Sequence, residues 1–168
     1  QTIQQTWQEG CGANLSCVAG FGTQVTGAGG TAAGFDLYSA LPSMKTYVPC
    51  SGTWVGIANT NTAGIKTTTG YMVFVRGDRT VTTPFATPTT TVLRTKGNLY
   101  VGDQPAITIA AGQFTAIGNP YAAAIDMRNI TKTGIKDFFY LWDPQMAGVA
   151  GYGAYQTFSS DGNGNYIV

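Results

Sequence analysis

Short runs of β-branched and aromatic residues alternate with polar positions along this chain, and turn residues separate them about every eight to twelve positions. No stretch carries the sustained 3.6-residue periodicity of an amphipathic helix. The pattern predicts an all-β fold of short antiparallel strands and long Gly- and Thr-rich loops, and the number of strands favours a jelly-roll-like β-sandwich. The predicted strands are residues 22–26, 45–48, 53–58, 71–76, 79–83, 90–95, 98–102, 106–110, 113–117, 138–142, 152–158 and 165–168. A single helical turn is predicted over residues 122–130.

Two hairpins follow from the turn residues. Gly77-Asp78 joins two predicted strands, and a Gly-Asp pair suits a type II′ turn because Gly tolerates positive φ. The same residues complete Arg76-Gly77-Asp78, a tripeptide known from integrin ligands, but we interpret it as a structural turn in which Asp78→Glu would be tolerated. The second predicted hairpin covers residues 91–101, with Lys96-Gly97-Asn98 as its loop.

Residues 138–142, Phe-Phe-Tyr-Leu-Trp, form the densest aromatic block of the chain. We predict a buried core strand here, because large aromatic side chains dominate protein cores. The alternative is an exposed platform on which sugar rings stack. The same choice applies to each tryptophan, so the candidate glycan contacts are Trp7, Trp54 and Trp142.

Charge is scarce. Only 10% of the 168 residues are charged, 43% are hydrophobic and the formal net charge is +1. This composition favours a folded domain over disorder. Without a run of Lys or Arg the sequence lacks the usual signature of a nucleic-acid partner, and its short apolar runs do not predict membrane insertion.

Histidine is absent, which excludes Ser-His-Asp, Cys-His and His-metal mechanisms. The eight acidic residues are scattered singly and nominate no catalytic pair. The sequence therefore predicts no catalytic residue and no cofactor. Asp161, Asn163 and Asn165 have the alternate spacing that opens a calcium loop, but a plain Gly/Asn turn is the preferred interpretation.

The cysteines are Cys11, Cys17 and Cys50. Proximity favours a disulfide between Cys11 and Cys17, with Cys50 buried as a small hydrophobic residue. A bridge between Cys11 and Cys50 is the open alternative.

Several separated segments together resemble a β-rich domain of very large cell-surface and secreted proteins of Bacteroidetes, many of them exported by the type IX secretion system. The segments occur in this order: residues 6–10, 20–27, 34–36, 42–47, 70–79, 92–97, 118–121 and 139–144. The resemblance implies an extracellular, non-catalytic module and brings no catalytic residue. Related domains begin and end with a further strand, so we expect residues 1–168 to be one domain that is a fragment of, or a subunit in, a larger assembly.

The sequence thus predicts a structural or adhesive module at the cell surface. Its expected partners are other copies or neighbouring domains, joined by strand addition at open sheet edges. The alternative is a carbohydrate-binding module that uses exposed aromatic residues.

Overall fold

The computed structural model describes residues 1–9, 19–36, 39–65, 68–83, 85–95, 97–148 and 151–168. The chain divides into two compact units, Gln1–Ala122 and Ala123–Val168. Each unit holds one small antiparallel sheet, and helical structure is confined to a few short turns among the described residues. A β-rich fold is therefore confirmed. That the whole chain forms one domain stays a prediction.

The first unit begins with the short helix α1 (Ile3–Thr6). Thr2 caps it: the Thr2 hydroxyl accepts a hydrogen bond from the backbone N–H of Gln5, and the Gln5 side chain accepts one from the N–H of Thr2. This reciprocal box satisfies two backbone donors that a helix end leaves open. It also fixes Ile3 in a fully buried position.

The sheet of the first unit has three strands, β1 (Met44–Val48), β2 (Thr53–Gly56) and β3 (Tyr71–Val73), in the order β2-β1-β3. Met44 pairs with Val73 and lies almost fully buried at the start of β1. It joins Ile3, Val25 and Phe35 in the hydrophobic core. Trp7, Ala33, Ile57, Ala63, Ile65, Tyr71 and Val73 pack around these four.

The second unit is built on β4 (Phe138–Asp143), β5 (Ala154–Ser160) and β6 (Tyr166–Ile167) in that spatial order. β4 and β5 pair over six residues, from Phe138 opposite Ser159 to Asp143 opposite Ala154. A 3-10 turn, Met127–Asn129, falls inside the predicted helical turn, and the Asp126 side chain caps it by accepting from the N–H of Arg128. The predicted helical turn therefore has the right position but is longer than the observed 3-10 turn.

Six of the predicted strands coincide with observed ones, and six do not. The structure places no strand over residues 22–26, 79–83, 90–95, 98–102, 106–110 or 113–117. Phe21, Val92 and Ile117 make only isolated bridges to other segments. The second predicted hairpin was therefore wrong for its described residues; Lys96, in its loop, lies outside them.

The hairpin at Gly77-Asp78 was also wrong. β3 ends at Val73 and pairs with β1, and a turn closed by the hydrogen bond from Val81 N to Asp78 O follows. Asp78 is buried at 6% exposure, which a hairpin tip would not allow. The cause is tertiary: the Asp78 carboxylate accepts a hydrogen bond from the backbone N–H of Gly20, 58 residues away, at 3.0 Å.

Candidate functional site

Four aromatic side chains form a continuous row on one face of the second sheet. Phe138, Tyr140 and Trp142 are alternate residues of β4, so they point to the same side of the sheet. Tyr155 lies directly opposite Trp142 on β5. We call Phe138, Tyr140, Trp142 and Tyr155 the aromatic row.

The rings of the aromatic row touch one another edge to face. The centroid distances are 5.5 Å from Phe138 to Tyr140, 6.3 Å from Tyr140 to Tyr155 and 4.9 Å from Tyr155 to Trp142. These spacings lie in the favourable range for T-shaped aromatic pairs. The ring contacts fix the orientation of each side chain within the row.

The aromatic row is substantially exposed. Tyr140, Trp142 and Tyr155 retain 48%, 37% and 46% of their accessible surface. The prediction that residues 138–142 form a buried core strand was therefore wrong, because only Phe138 and Phe139 of this stretch are even partly buried. The strand itself was predicted correctly; its burial was not.

The opposite face of the same sheet carries a second, tighter aromatic cluster. Phe139 stacks on Phe158, its partner across the ladder, at 5.1 Å, and meets Tyr166 edge to face at 4.9 Å. The Tyr166 hydroxyl donates to the Asp137 carboxylate, and Lys132 Nζ lies 3.1 Å from the same carboxylate. The hydrogen bond from Tyr166, followed by that from Lys132, holds the pKa of Asp137 below its ordinary value. These contacts anchor β6 to the unit.

The face of the aromatic row also carries two hydroxyl-bearing residues of β5 and the exposed Ile167 of β6, which lies opposite Ser159. Thr157 and Ser159 lie opposite Tyr140 and Phe138 and place hydroxyl groups on the same face. Asp143 projects to the other face, because it is one residue beyond Trp142. The row is thus suited to an uncharged partner that offers both apolar surface and hydrogen-bonding groups.

The other two candidate tryptophans lie in the first unit. Trp7 packs against the core and meets Tyr71 edge to face at 6.2 Å. Trp54, on β2, meets Tyr47 at 5.4 Å and is partly buried. Only Trp142 of the three belongs to the aromatic row, and sequence reasoning missed Tyr155, which completes it.

The Arg76-Gly77-Asp78 tripeptide is part of the folded framework. Besides Gly20, the Asp78 carboxylate accepts hydrogen bonds from the N–H and the hydroxyl of Thr80. The bond from the Thr80 hydroxyl and then that from Gly20 lower the pKa of Asp78. The Arg76 guanidinium lies 4.8 Å from the centre of the Phe74 ring. A buried carboxylate with three donors is not available to an integrin, so the interpretation of the tripeptide as structural is supported, although the turn differs from the predicted one.

A largely buried ion pair that the sequence analysis did not single out lies near this turn. Arg79 Nη2 and Asp36 Oδ1 are 2.8 Å apart, and both side chains are 13% exposed. Asp36 Oδ2 accepts from the N–H of Val25 at 2.9 Å and from Gln8 Nε2 at 3.2 Å. Arg79 also donates to the backbone carbonyl of Gln8. The residues are far apart in the sequence, which is why no local pattern indicated the network.

The candidate calcium residues form the turn between β5 and β6. Asp161 Oδ1 accepts from the N–H groups of Asn163 and Asn165 at 2.7 and 3.0 Å, and Oδ2 accepts from Asn165 Nδ2 at 3.2 Å. The backbone N–H bonds hold the pKa of Asp161 below its ordinary value. This arrangement favours a plain turn, the preferred interpretation. Among the described residues no three Asp, Glu or Cys side chains cluster as metal ligands would.

The cysteine predictions have different outcomes. Cys11 and Cys17 lie outside the described residues, and so does a bridge between them, whereas the alternative bridge from Cys11 to Cys50 is contradicted because Cys50 is free. Cys50 is an exposed free thiol in the turn after β1, so the prediction that it is buried was wrong. The tight β1–β2 connection leaves this side chain at the end of the sheet, away from the core.

A shallow cleft of about 550 Å³ lies beside β1 and β2. Thr46, Tyr47, Asn59, Thr62 and Tyr71 are among its lining residues, and the lining includes no Asp, Glu, Lys, Arg or Cys.

The described part of the chain contains no helix that is long and apolar enough to cross a membrane. Comparisons with protein-family models, curated proteins and solved structures found no match to this chain.

Proposed function

We propose that this chain is a non-catalytic extracellular module, structural or adhesive, that helps to build a cell-surface protein or assembly. The observation that carries the proposal is the imbalance between buried and exposed apolar residues. The buried hydrophobic residues of the described chain are Ile3, Val25, Phe35, Met44 and Val81. Exposed large apolar side chains are several times more numerous.

Scattered apolar side chains are normal on protein surfaces, whereas a contiguous patch marks an interaction site. The aromatic row is contiguous, because each of its rings touches the next. With 10% charged residues and a net charge of +1, the surface offers little electrostatic repulsion between copies. These properties favour assembly.

The proposal includes a finer fold and a source. The two three-stranded antiparallel sheets are compatible with a jelly-roll-like β-sandwich with long Gly- and Thr-rich loops. The ordered resemblance to surface proteins of Bacteroidetes supports export by a type IX route. The absence of catalysis is proposed from the roles of the acidic residues, since Asp36 and Asp78 accept structural hydrogen bonds from the backbone.

Sedimentation velocity of the purified 168-residue chain tests the proposal. We expect species larger than the monomer at micromolar concentration, with the fraction rising with concentration. A well-folded monomer over the whole concentration range would contradict assembly. Turnover of a glycan or peptide substrate by the purified chain would contradict the non-catalytic part of the proposal.

A carbohydrate-binding module is the second candidate function, and the exposed aromatic row favours it. Exposed aromatic rings beside the hydroxyl groups of Thr157 and Ser159 match the apolar faces and hydroxyls of a neutral sugar. Pull-down with neutral polysaccharides tests this candidate: Trp142→Ala should abolish retention. Leu141→Ala is the matched control, because Leu141 is exposed on the opposite face of the same strand. Equal retention of both variants would reject the candidate.

A further inference from the structure

Residues 98–110 have a strand-like sequence. Leu99-Tyr100-Val101 and Ile107-Thr108-Ile109 are runs of residues enriched in β-sheets, separated by Pro105. Both runs were predicted as strands. Such runs form strands only where another strand supplies hydrogen-bonding partners.

The structure supplies no such partner within the described residues. None of residues 98–110 belongs to a strand or helix. Their backbone N–H groups donate no hydrogen bond to another described residue. Among their carbonyls, Gly102 O accepts from Tyr121 Oη and Gln104 Nε2, and Ala110 O accepts from the N–H of Gln113. The other backbone groups of this segment make no hydrogen bond to a described residue and are therefore open to another chain.

The side chains of the segment are exposed as well. Leu99, Val101 and Ile107 are 76%, 80% and 43% exposed. Proteins usually protect such open backbone with lysines, prolines or bulges. Here Asp103 is the one charged residue and Pro105 the one proline of the segment. Apolar side chains beside unpaired backbone groups are what an added β-strand covers.

We propose that residues 98–110 pair as a strand with a sheet edge of a second copy of this chain. The inference rests on the proposed function, since it names the contact through which copies assemble. The chain carries both halves of the contact: the segment itself, and the sheet edges at β2, β3, β4 and β6. Three of these edges also have exposed large aliphatic side chains: Val55 on β2, Leu141 on β4 and Ile167 on β6.

Charge supports a second copy as the partner. One acidic residue in the segment and a chain net charge of +1 leave no strong like-charge repulsion between copies. The segment and a sheet edge are different surfaces, so two copies that exchange segments would close as a two-fold dimer, whereas a one-way contact would continue into a ring or an open filament.

Hydrogen exchange of the full chain at low and high concentration tests the proposal. Peptides covering residues 98–110 should exchange at least about tenfold more slowly under the conditions where sedimentation shows association. Protection of these amides at every concentration would mean that the segment pairs within one chain, and would overturn the proposal.

A matched pair of variants completes the test. Ile107→Lys places a charge in the segment and should reduce association by about tenfold or more. Ile135→Lys is the control, because Ile135 is 48% exposed and lies outside the segment. Circular dichroism should show the same strand content for both monomeric variants, since Ile107 is not part of the core.

The outcomes separate the two proposals. Association with an unprotected segment, or equal association of both variants, would overturn the strand pairing while the assembly function stands. Absence of association in the unmodified chain would overturn both. Concentration-dependent protection that Ile107→Lys removes and Ile135→Lys retains would support both.

Discussion

The unit Gln1–Ala122 buries polar and apolar side chains together, whereas Gly153 is the only buried residue in the described part of the unit Ala123–Val168. In the first unit Gln8, Thr23, Thr26, Thr60 and Asp78 are as inaccessible as the hydrophobic core. In the second, a six-residue ladder and pairs of aromatic rings hold the strands. The first unit is thus held by buried polar and apolar side chains together, and the second by strand pairing and contacts between aromatic rings.

The two units differ in which contacts make the folded arrangement unique. Buried polar groups are costly unless they are hydrogen-bonded, so a satisfied network allows few alternative arrangements. The contacts of Asp36 and Asp78 are of this kind. Cross-strand pairs each contribute less, about 0.2–1 kcal/mol, but they require only neighbouring strands. The first unit should therefore be sensitive to single polar substitutions, and the second should not.

Removing one partner of the buried ion pair should have the largest effect. Asp36→Ala leaves the largely buried Arg79 guanidinium without its carboxylate and should destabilise the chain by about 3 kcal/mol. Urea denaturation followed by circular dichroism measures this. Asp126→Ala in the second unit is the control: Asp126 also pairs with an arginine, which lowers its pKa to about 2, but the pair is exposed. Equal loss of stability in both variants would contradict the greater sensitivity of the first unit to single polar substitutions.

Gly77→Val should have the next largest effect. Gly77 has φ of +151°, and a Cβ there would lie 2.5 Å from Thr89 Oγ1 and 2.7 Å from the Thr89 backbone nitrogen. Backbone strain and overpacking together should cost about 2 kcal/mol or more.

Gly134→Val is the matched control in the second unit. Its φ of +70° is strained for valine as well, but its Cβ would meet open space. We expect a smaller loss in thermal denaturation for this variant. If Gly134→Val destabilised the chain as much as Gly77→Val, the close packing around Gly77 would not contribute to the loss of stability.

Asp78 should make the first unit sensitive to acid. Its folded pKa is lowered from an ordinary value of 3.8, so its stabilisation is present above about pH 4 and is lost as the pH falls through the lower, folded pKa. Asp78→Asn should cost about 1.5 kcal/mol at pH 7 and reduce the acid dependence. Denaturation midpoints between pH 7 and pH 2 measure both effects, with the exposed Asp103→Asn as control. An unchanged acid profile in Asp78→Asn would contradict the role of its hydrogen bonds.

The structure also revises the expectation that Asp78→Glu is tolerated. Three donors surround the aspartate carboxylate, and the longer side chain would have to displace them. We expect a loss similar to that of Asp78→Asn.

Tyr155→Ala should have the smallest effect on stability. It removes ring contacts to Trp142 and Tyr140 from a half-exposed face and should cost about 1 kcal/mol or less. Ser159→Ala, on the same strand and face, is the control for thermal denaturation. A loss comparable to that of Asp36→Ala would show that the aromatic row stabilises the fold as strongly as the buried ion pair.

Local sequence patterns predicted the β-rich class and the strands that found partners. Residues 45–48 and 53–58 became β1 and β2, and residues 138–142 and 152–158 became β4 and β5 with small shifts of their ends. Each pair is joined by a connection short enough for the strands to meet. Residues 98–102 and 106–110 have similar composition but no partner in the described chain, because propensity alone does not pair strands.

The sequence by itself determined strand propensity, the scarcity of charge and the absence of histidine-based chemistry. Only the tertiary structure decided which side chains lose access to solvent: Asp78 is buried beside a donor 58 residues away, and Asp36 is largely buried beside a cation 43 residues away. It also decided that Trp142 and Cys50 are exposed. Burial depends on what the rest of the chain places against a residue, and no local spacing encodes contacts between segments so far apart in the sequence.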